Sequence, residues 1–234
     1  MKQVHDKEIN DLVNRIVVSI VELPTQSTDS IREVRKRFSR ELAHRPAEQI
    51  LQLALKLRSR DDFILRFVAY ELVHYHKAAL ASLNARSLKE LGQGLDSWMA
   101  VDTFACYLSG PAWRERQVPD ATVKEWTRST DRWWRRAALV STVPLNSKAR
   151  GGKGDPSRTI DICSELVSDR DDMVVKALSW ALRELSKRDP VLTKSFLEKY
   201  QDELAPRVIR EVKSKLETGL KSARRSTRES TEKV

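Results

Sequence analysis

The stretch DDMVVKALSWALRELSK, residues 171–187, repeats apolar side chains at the spacing of an α-helix. On a wheel of 3.6 residues per turn these side chains form one stripe, which predicts an amphipathic helix with a single buried face. Such a helix needs apolar neighbours, so the stretch indicates a fold built by packing helices on one another. The stripe consists of Val174, Leu178, Ala181, Leu182 and Leu185.

The opposite face of this predicted helix carries Lys176, Trp180 and Arg183. An aromatic ring between two cations is unusual for a protein core. It is the combination with which nucleic-acid surfaces stack on bases and bind phosphates. The alternative is that Trp180 packs on a neighbouring helix, which a stacked helical array permits.

The same periodicity extends outward over most of the 234 residues. Only 7 Gly and 8 Pro interrupt the chain, and no stretch alternates long enough to compete as a half-buried strand. Many short helices with short connections predict an all-α fold, a HEAT-like helical repeat solenoid. A compact irregular helical bundle is the alternative. The other predicted helices span 6–22, 30–43, 46–57, 62–75, 87–94, 97–109, 119–127, 131–143, 157–167, 190–200 and 203–218.

The charge balance points to an anionic partner. The formal net charge is +10, with 32% charged and 40% hydrophobic residues, which is typical of a soluble globular protein. Nucleic acid is the commonest partner of such a basic chain, so we expect a basic surface that binds nucleic acid. The alternative is a basic surface that is simply solvated.

The cysteines and the hydropathy indicate a compartment. Cys106 and Cys163 lack the spacing of metal ligands and are expected to be reduced structural thiols. No apolar run resembles a signal peptide or approaches the length of a membrane span. We therefore expect a cytoplasmic, nucleoid-associated monomer that makes no contact with a membrane.

Two segments differ in composition from the rest of a single predicted domain, residues 1–218. NSKARGGKGDPSR, residues 146–158, holds three glycines and four cations, which predicts a mobile basic loop inserted between helices. GLKSARRSTRESTEKV, residues 219–234, has few core-forming side chains and is predicted to be a flexible basic C-terminal tail.

A lone carboxylate lies in an apolar helix. Asp102 is the only charged residue of the predicted helix 97–109, and Trp98 precedes it by one helical turn, so ring and carboxylate share a face. An ionised carboxylate in apolar surroundings is costly unless it is paired or functional. On the predicted helix 131–143, Arg136 lies among apolar positions and is the expected partner.

The usual motifs of metal and nucleophile enzymes are missing from the sequence. It holds no HExxH, CxxC, Gly-rich phosphate loop or GxSxG. His74 and His76 are two positions apart, and a helix points such a pair in different directions. No metal and no cofactor are therefore expected.

Three stretches match a known family. SWMAVD (97–102), WWRRAAL (133–139) and VVKALSWALREL (174–185) resemble the AlkD-like alkylpurine DNA glycosylases, and the similarity extends over residues 98–216, including ELAPRVIREV (203–212). The resemblance implies a HEAT-like solenoid with double-stranded DNA in its concave groove. It also implies removal of purines made cationic by alkylation at N3 or N7.

The resemblance assigns roles to four residues. Trp98 and Trp180 would contact the lesion and its deoxyribose, Asp102 would be the catalytic carboxylate, and Arg136 would be its basic neighbour at the DNA backbone. A cationic base is already a good leaving group, so no general acid is needed. A carboxylate can stabilise the positive charge that develops on the sugar and can orient water.

The first 95 residues depart from the family pattern. Where relatives carry a GxxTPxxR-like segment, this chain reads TQSTDSIREVRKRF (25–38), without the glycine or proline. The loop 146–158 has the composition to take over binding of the DNA backbone. The side chains expected to meet phosphates are Arg135, Lys148, Arg150, Lys153, Arg158, Lys176 and Arg183.

Two other functions remain open from the sequence. A protein of the same fold could bind branched or distorted DNA without excising bases, because a retained fold does not guarantee a retained activity. A helical-repeat adaptor for acidic proteins is the third possibility, and it would show no salt-dependent binding of DNA.

Overall fold

The computed structural model describes residues 2–222, and of residues 2–5 only the backbone. Most of the predicted tail, residues 223–234, lies outside the described residues. Within 2–222 the regular structure is entirely helical, without a strand. The helices are α1 (Lys2–Val21), α2 (Thr28–Glu41), α3 (Ala47–Arg58), α4 (Phe63–Tyr75), α5 (Lys77–Ala81), α6 (Ala85–Leu91), α7 (Trp98–Phe104), α8 (Gly110–Arg114), α9 (Asp120–Thr127), α10 (Arg132–Ser141), α11 (Val143–Asn146), α12 (Pro156–Ser164), α13 (Asp172–Leu185), α14 (Pro190–Lys199) and α15 (Pro206–Thr218).

The helices pack as consecutive pairs in two layers. α1 packs on α2, α3 on α4, α9 on α10, α12 on α13 and α14 on α15. The second helix of each pair and α7 contact one another in chain order, α2–α4–α7–α10–α13–α15, and we call these six helices the second layer. This repetition of stacked pairs confirms the predicted all-α helical repeat fold.

Five helices of the second layer begin with a side chain that caps the N-terminus. At the start of each of them a Ser or Asp side chain accepts a hydrogen bond from a backbone N–H of the first turn, which satisfies one of the donors that a helix leaves unpaired. These caps fix where each helix starts and hence where its side chains point. They are Ser27, Asp62, Ser97, Asp131 and Asp171.

The core confirms the stripe on which the prediction was built. All five apolar side chains predicted for the buried face of α13 are at most 1% exposed. Burying a Leu or Val side chain stabilises a fold by about 1.5–3 kcal/mol. Because α13 contacts α10, α12 and α15, this stripe holds neighbouring repeats together.

Pro111 changes the predicted helix 97–109. A proline has no N–H, so the carbonyl of Tyr107, four residues earlier, loses its helical partner. The backbone forms a π-helical turn at Ala105–Ser109, and the Tyr107 carbonyl accepts a hydrogen bond from His74 Nδ1 at 2.9 Å. The predicted helix is therefore α7 followed by this turn and α8.

None of the helices within residues 2–222 combines the length and the apolar content that crossing a bilayer requires.

Candidate active site

A fork-shaped ion pair joins three consecutive helices of the second layer. Arg136 on α10 donates from Nε to Asp102 Oδ1 and from Nη2 to Asp102 Oδ2, each over 2.9 Å. Its Nη1 donates to the Met173 carbonyl on α13 over 2.5 Å. The pair that the sequence predicted is thus present, and it fixes the Asp102 carboxylate of α7 relative to α13.

Two opposing influences act on the Asp102 carboxyl. Burial is the larger, and it raises the pKa of Asp102 above the ordinary aspartate value. The hydrogen bonds and charge of Arg136, and the charge of Arg150, lower it. Only 19% of the Asp102 side chain is exposed, and the bidentate guanidinium favours the ionised form of its carboxyl.

A cleft of about 290 Å³ lies directly above this carboxylate and brings together four of the predicted site residues. Trp98, Asp102, Arg150 and Trp180 all line it. Trp98 is 50% exposed, whereas Trp180 is half-buried. The two tryptophans and the carboxylate, which lie on α7 and α13, therefore share one cavity.

Other residues of the cleft were not predicted from the sequence, and most of them come from the N-terminal third of the chain. Arg32 of α2, Phe63 and Phe67 of α4, and Tyr107 of the π-helical turn line the same cavity. In the sequence, Phe63 and Phe67 lie one helical turn apart, a spacing that does not distinguish a cleft from a core. In the structure, Phe63 is 42% exposed. The stretch 25–38 that departs from the family pattern contributes Arg32.

Three of the predicted phosphate-binding cations are accessible at the surface. Lys148 and Lys153 are exposed on the basic loop. Lys176 is partly exposed and forms an ion pair with Asp172, one turn earlier on α13, at 2.6 Å. An exposed pair of this kind is weak and can exchange its partner for a phosphate.

Two predicted cations are largely committed to the protein. Arg135 donates from Nε to Asp169 over 2.7 Å and from Nη1 to the carbonyls of Ser129 and Thr130. Arg183 donates to Ser179 Oγ over 3.2 Å, and burial lowers the pKa of Arg183. Both guanidiniums therefore organise the repeat in which they lie.

Two arginines lie in positions that differ from the prediction. Arg158 is 9% exposed, stacks on the Trp113 ring with 4.9 Å to the centroid, and donates to the Trp113 carbonyl over 2.6 Å. Arg136 is 5% exposed and uses its donors on Asp102 and Met173. Both guanidiniums are thus buried and bonded to oxygens of the protein, an arrangement that a planar guanidinium tolerates.

Hydrogen bonds from two neighbouring arginines attach the basic loop 146–158 to the rest of the fold. Arg114 donates to the Arg150 carbonyl, and Arg188 donates to the carbonyls of Asn146 and Gly152. Gly152 must be glycine because a Cβ there would lie 2.6 Å from the Pro144 carbonyl oxygen. These contacts place Arg150 at the wall of the cleft.

The described part of the chain, residues 2–222, contains no group of three or more His, Cys, Asp or Glu side chains arranged to hold a metal ion.

The stacked helix pairs and the carboxylate-bearing cleft place the chain among helical-repeat proteins. A family model described as DNA alkylation repair enzyme matches residues 21–216, and the chain belongs to this family. Its function class is accordingly DNA repair, with DNA as the substrate. The match includes residues 21–97, which the resemblance in the sequence left out. A comparison with curated proteins found no match.

Proposed function

We propose that the protein is a DNA glycosylase that hydrolyses the N-glycosidic bond of purines made cationic by alkylation at N3 or N7 in double-stranded DNA. The observation that carries the proposal is the shared cleft of Trp98, Trp180 and the Asp102 carboxylate. Electron-rich indole faces favour a cationic partner, and a carboxylate favours the positive charge that develops on the sugar.

The reaction follows from the charge of the base. An alkylated purine carries a positive charge before the glycosidic bond breaks and leaves as a neutral base, so protonation by the enzyme is unnecessary. As the bond lengthens, positive charge moves to the deoxyribose, where the Asp102 carboxylate stabilises it. Water then adds to the sugar carbon, and Asp102 orients this water or accepts its proton.

Arg136 is a positioning residue in this mechanism. Arg136 is 5% exposed, whereas Trp98 is 50% exposed, and the hydrogen bonds of Arg136 go to Asp102 and Met173. It favours the ionised form of Asp102 and fixes the direction of the carboxylate. Preorganisation of this kind lowers the cost of rearrangement when the charge develops.

DNA would be bound through its backbone rather than its base sequence. Of the cations predicted to meet phosphates, four remain available: the exposed Lys148 and Lys153, the cleft residue Arg150 and the partly exposed Lys176. Binding through phosphates carries no sequence information, which suits an enzyme that must act in any sequence context.

A second candidate is a protein that binds distorted or branched DNA without chemistry. The observation that favours it is that both oxygens of Asp102 already accept hydrogen bonds from Arg136. Each carboxylate oxygen has a second lone pair, and 19% of the side chain remains exposed, so the pairing leaves capacity for substrate.

The test is release of free base from duplex DNA that contains 7-methylguanine, with binding of the same duplex and of a four-way junction measured in parallel. The proposal predicts release well above the spontaneous rate. Tight binding without release, with preference for the junction over the duplex, would establish the second candidate instead. Absence of any salt-dependent DNA binding would support the adaptor function.

A further inference from the structure

A second group of polar side chains lines the cleft, apart from Asp102 and the two tryptophans. Arg32 comes from α2, Tyr107 from the π-helical turn and Arg150 from the basic loop. Arg32 Nη2 donates to the Tyr107 hydroxyl over 3.4 Å, and the Arg150 guanidinium lies over the Tyr107 ring, 5.8 Å from its centroid. Tyr107 therefore brings two arginines together at one place in the cleft.

A buried carboxylate fixes the direction of Arg32. Glu71 on α4 is 0% exposed and accepts from Arg32 Nε over 3.1 Å and from Arg35 Nε over 2.8 Å. Arg35 in turn lies 4.0 Å from the centroid of the Tyr75 ring. A buried carboxylate that bonds two guanidiniums fixes both of them, because leaving the buried charge unpaired would be costly.

Both arginines keep donors for a ligand. Within residues 2–222, Arg32 Nη1 has no hydrogen-bond acceptor in the protein, and the Arg150 guanidinium donates no hydrogen bond to any side chain or carbonyl. Both side chains are partly buried, so their unused N–H groups face a restricted volume of solvent. Unused guanidinium donors at a cleft wall are suited to an oxyanion.

The charges of the group favour an anion as well. Glu71 supplies one negative charge against the positive charges of Arg32, Arg35 and Arg150, while Asp102 is matched by Arg136. A cationic alkylpurine would be repelled from the two cleft arginines, and a phosphate would be attracted. The lesion base and the sugar–phosphate backbone thus have different preferred places in one cleft.

We propose that Arg32 and Arg150, brought together by Tyr107, form a binding site for a backbone phosphate of the damaged strand. The proposal rests on the proposed function in that DNA occupies the cleft. The charge of Arg150 reaches Asp102, whose pKa it lowers, so the phosphate would lie near the nucleotide that reacts. Glu71 is the positioning residue of this site.

The experiment measures the affinity of the full chain for an undamaged duplex as a function of salt concentration, for the wild type and for Arg32→Gln. We expect a loss of about 5- to 10-fold at low salt and a slope of log K against log salt that is shallower by about 1. The matched control is Arg86→Gln, which removes the same charge from an 88% exposed arginine on α6. It should leave both quantities nearly unchanged.

Arg32→Lys separates position from charge. Lysine keeps the positive charge but lacks the guanidinium that donates from separate nitrogens to Glu71 and Tyr107, so the salt slope should be retained while part of the affinity is lost. Equal losses in Arg32→Gln and Arg86→Gln, or no loss in either, would overturn the proposal. Because plain duplex is the probe, this result is independent of base release, and failure of the glycosylase proposal would be visible separately.

Discussion

Arg136 donates two hydrogen bonds of 2.9 Å to the two oxygens of Asp102, and its third nitrogen donates to the Met173 carbonyl. The carboxylate is thereby fixed relative to α7 and α13, the helices that carry Trp98 and Trp180. A buried charge in a fixed direction can meet positive charge on a substrate without reorganisation.

The first prediction concerns pH. Burial raises the pKa of Asp102, so its carboxyl gains a proton at a higher pH than an ordinary aspartate, whose pKa is 3.8. Base release should therefore begin to fall, as pH decreases, at a pH above that value. The measurement is the single-turnover rate of release against pH, corrected for spontaneous depurination. An acid limb at or below the ordinary aspartate pKa would contradict the account.

The same shift has a consequence for stability. Because the folded-state pKa is raised, the folded protein binds this proton more tightly than the unfolded chain does, and the contribution of Asp102 to stability declines as pH rises through the folded pKa. Asp102→Asn removes this dependence, so the difference in unfolding free energy between variant and wild type should change across the same pH window.

The second prediction is that Arg136→Met destabilises the fold by about 3–5 kcal/mol, because it leaves Asp102 buried without a partner. Urea unfolding measures this loss. Arg136→Lys keeps the charge but not the fork and should be milder, with the acid limb of release moved to higher pH. An unchanged limb in Arg136→Lys would show that Arg136 does not tune Asp102.

The third prediction separates Trp98 from the core. Its ring is 50% exposed, so Trp98→Ala should change stability by less than about 1 kcal/mol. Base release should fall by about 10-fold or more, since stacking on a cationic base is lost. Trp133→Ala on α10 is the control, because Trp133 does not line the cleft. Equal losses of release in the two variants would remove Trp98 from the site.

The fourth prediction concerns His74, which supports the π-helical turn. Burial lowers the pKa of His74, although its hydrogen bond to the Tyr107 carbonyl opposes this. The depressed pKa means that His74 contributes stability above the unfolded-state value near 6.5, and that this is lost as pH falls through the folded pKa. Wild-type stability should therefore fall below about pH 6.5.

His74→Gln provides the comparison, because its amide keeps a donor for the Tyr107 carbonyl without titrating. Urea unfolding of both proteins between pH 5 and 8 should show a smaller slope in the variant. Parallel curves for the two proteins would mean that His74 does not couple protonation to this turn.

The all-helical fold could be predicted because apolar residues at helical spacing mark the buried face of a helix. In α13 all five residues of the predicted stripe are buried. The pairing of Asp102 with Arg136 was predictable for a related reason, since each is a lone charge among apolar neighbours. When the helices pack, two such opposite charges are expected to form an ion pair, because a buried charge without a partner is strongly destabilising.

The other half of the cleft was not predictable in the same way. Arg32 meets Glu71 across 39 positions and Tyr107 across 75, and no local pattern specifies contacts between such distant elements. For Arg158 the sequence pattern suggested exposure, and the structure shows burial. A basic loop predicts exposed cations, but the Trp113 ring and carbonyl bury this guanidinium.

The fifth prediction is the central one, and the measurement is the single-turnover rate of 7-methylguanine release by the wild type and by Asp102→Asn, with affinity for the same duplex determined in parallel. The account predicts a release rate at least about 100-fold lower in the variant, with affinity within a few-fold of the wild type, because one preorganised charge is lost while the phosphate contacts remain. Equal rates in the two proteins would contradict the assignment of Asp102 as the group that stabilises the sugar cation.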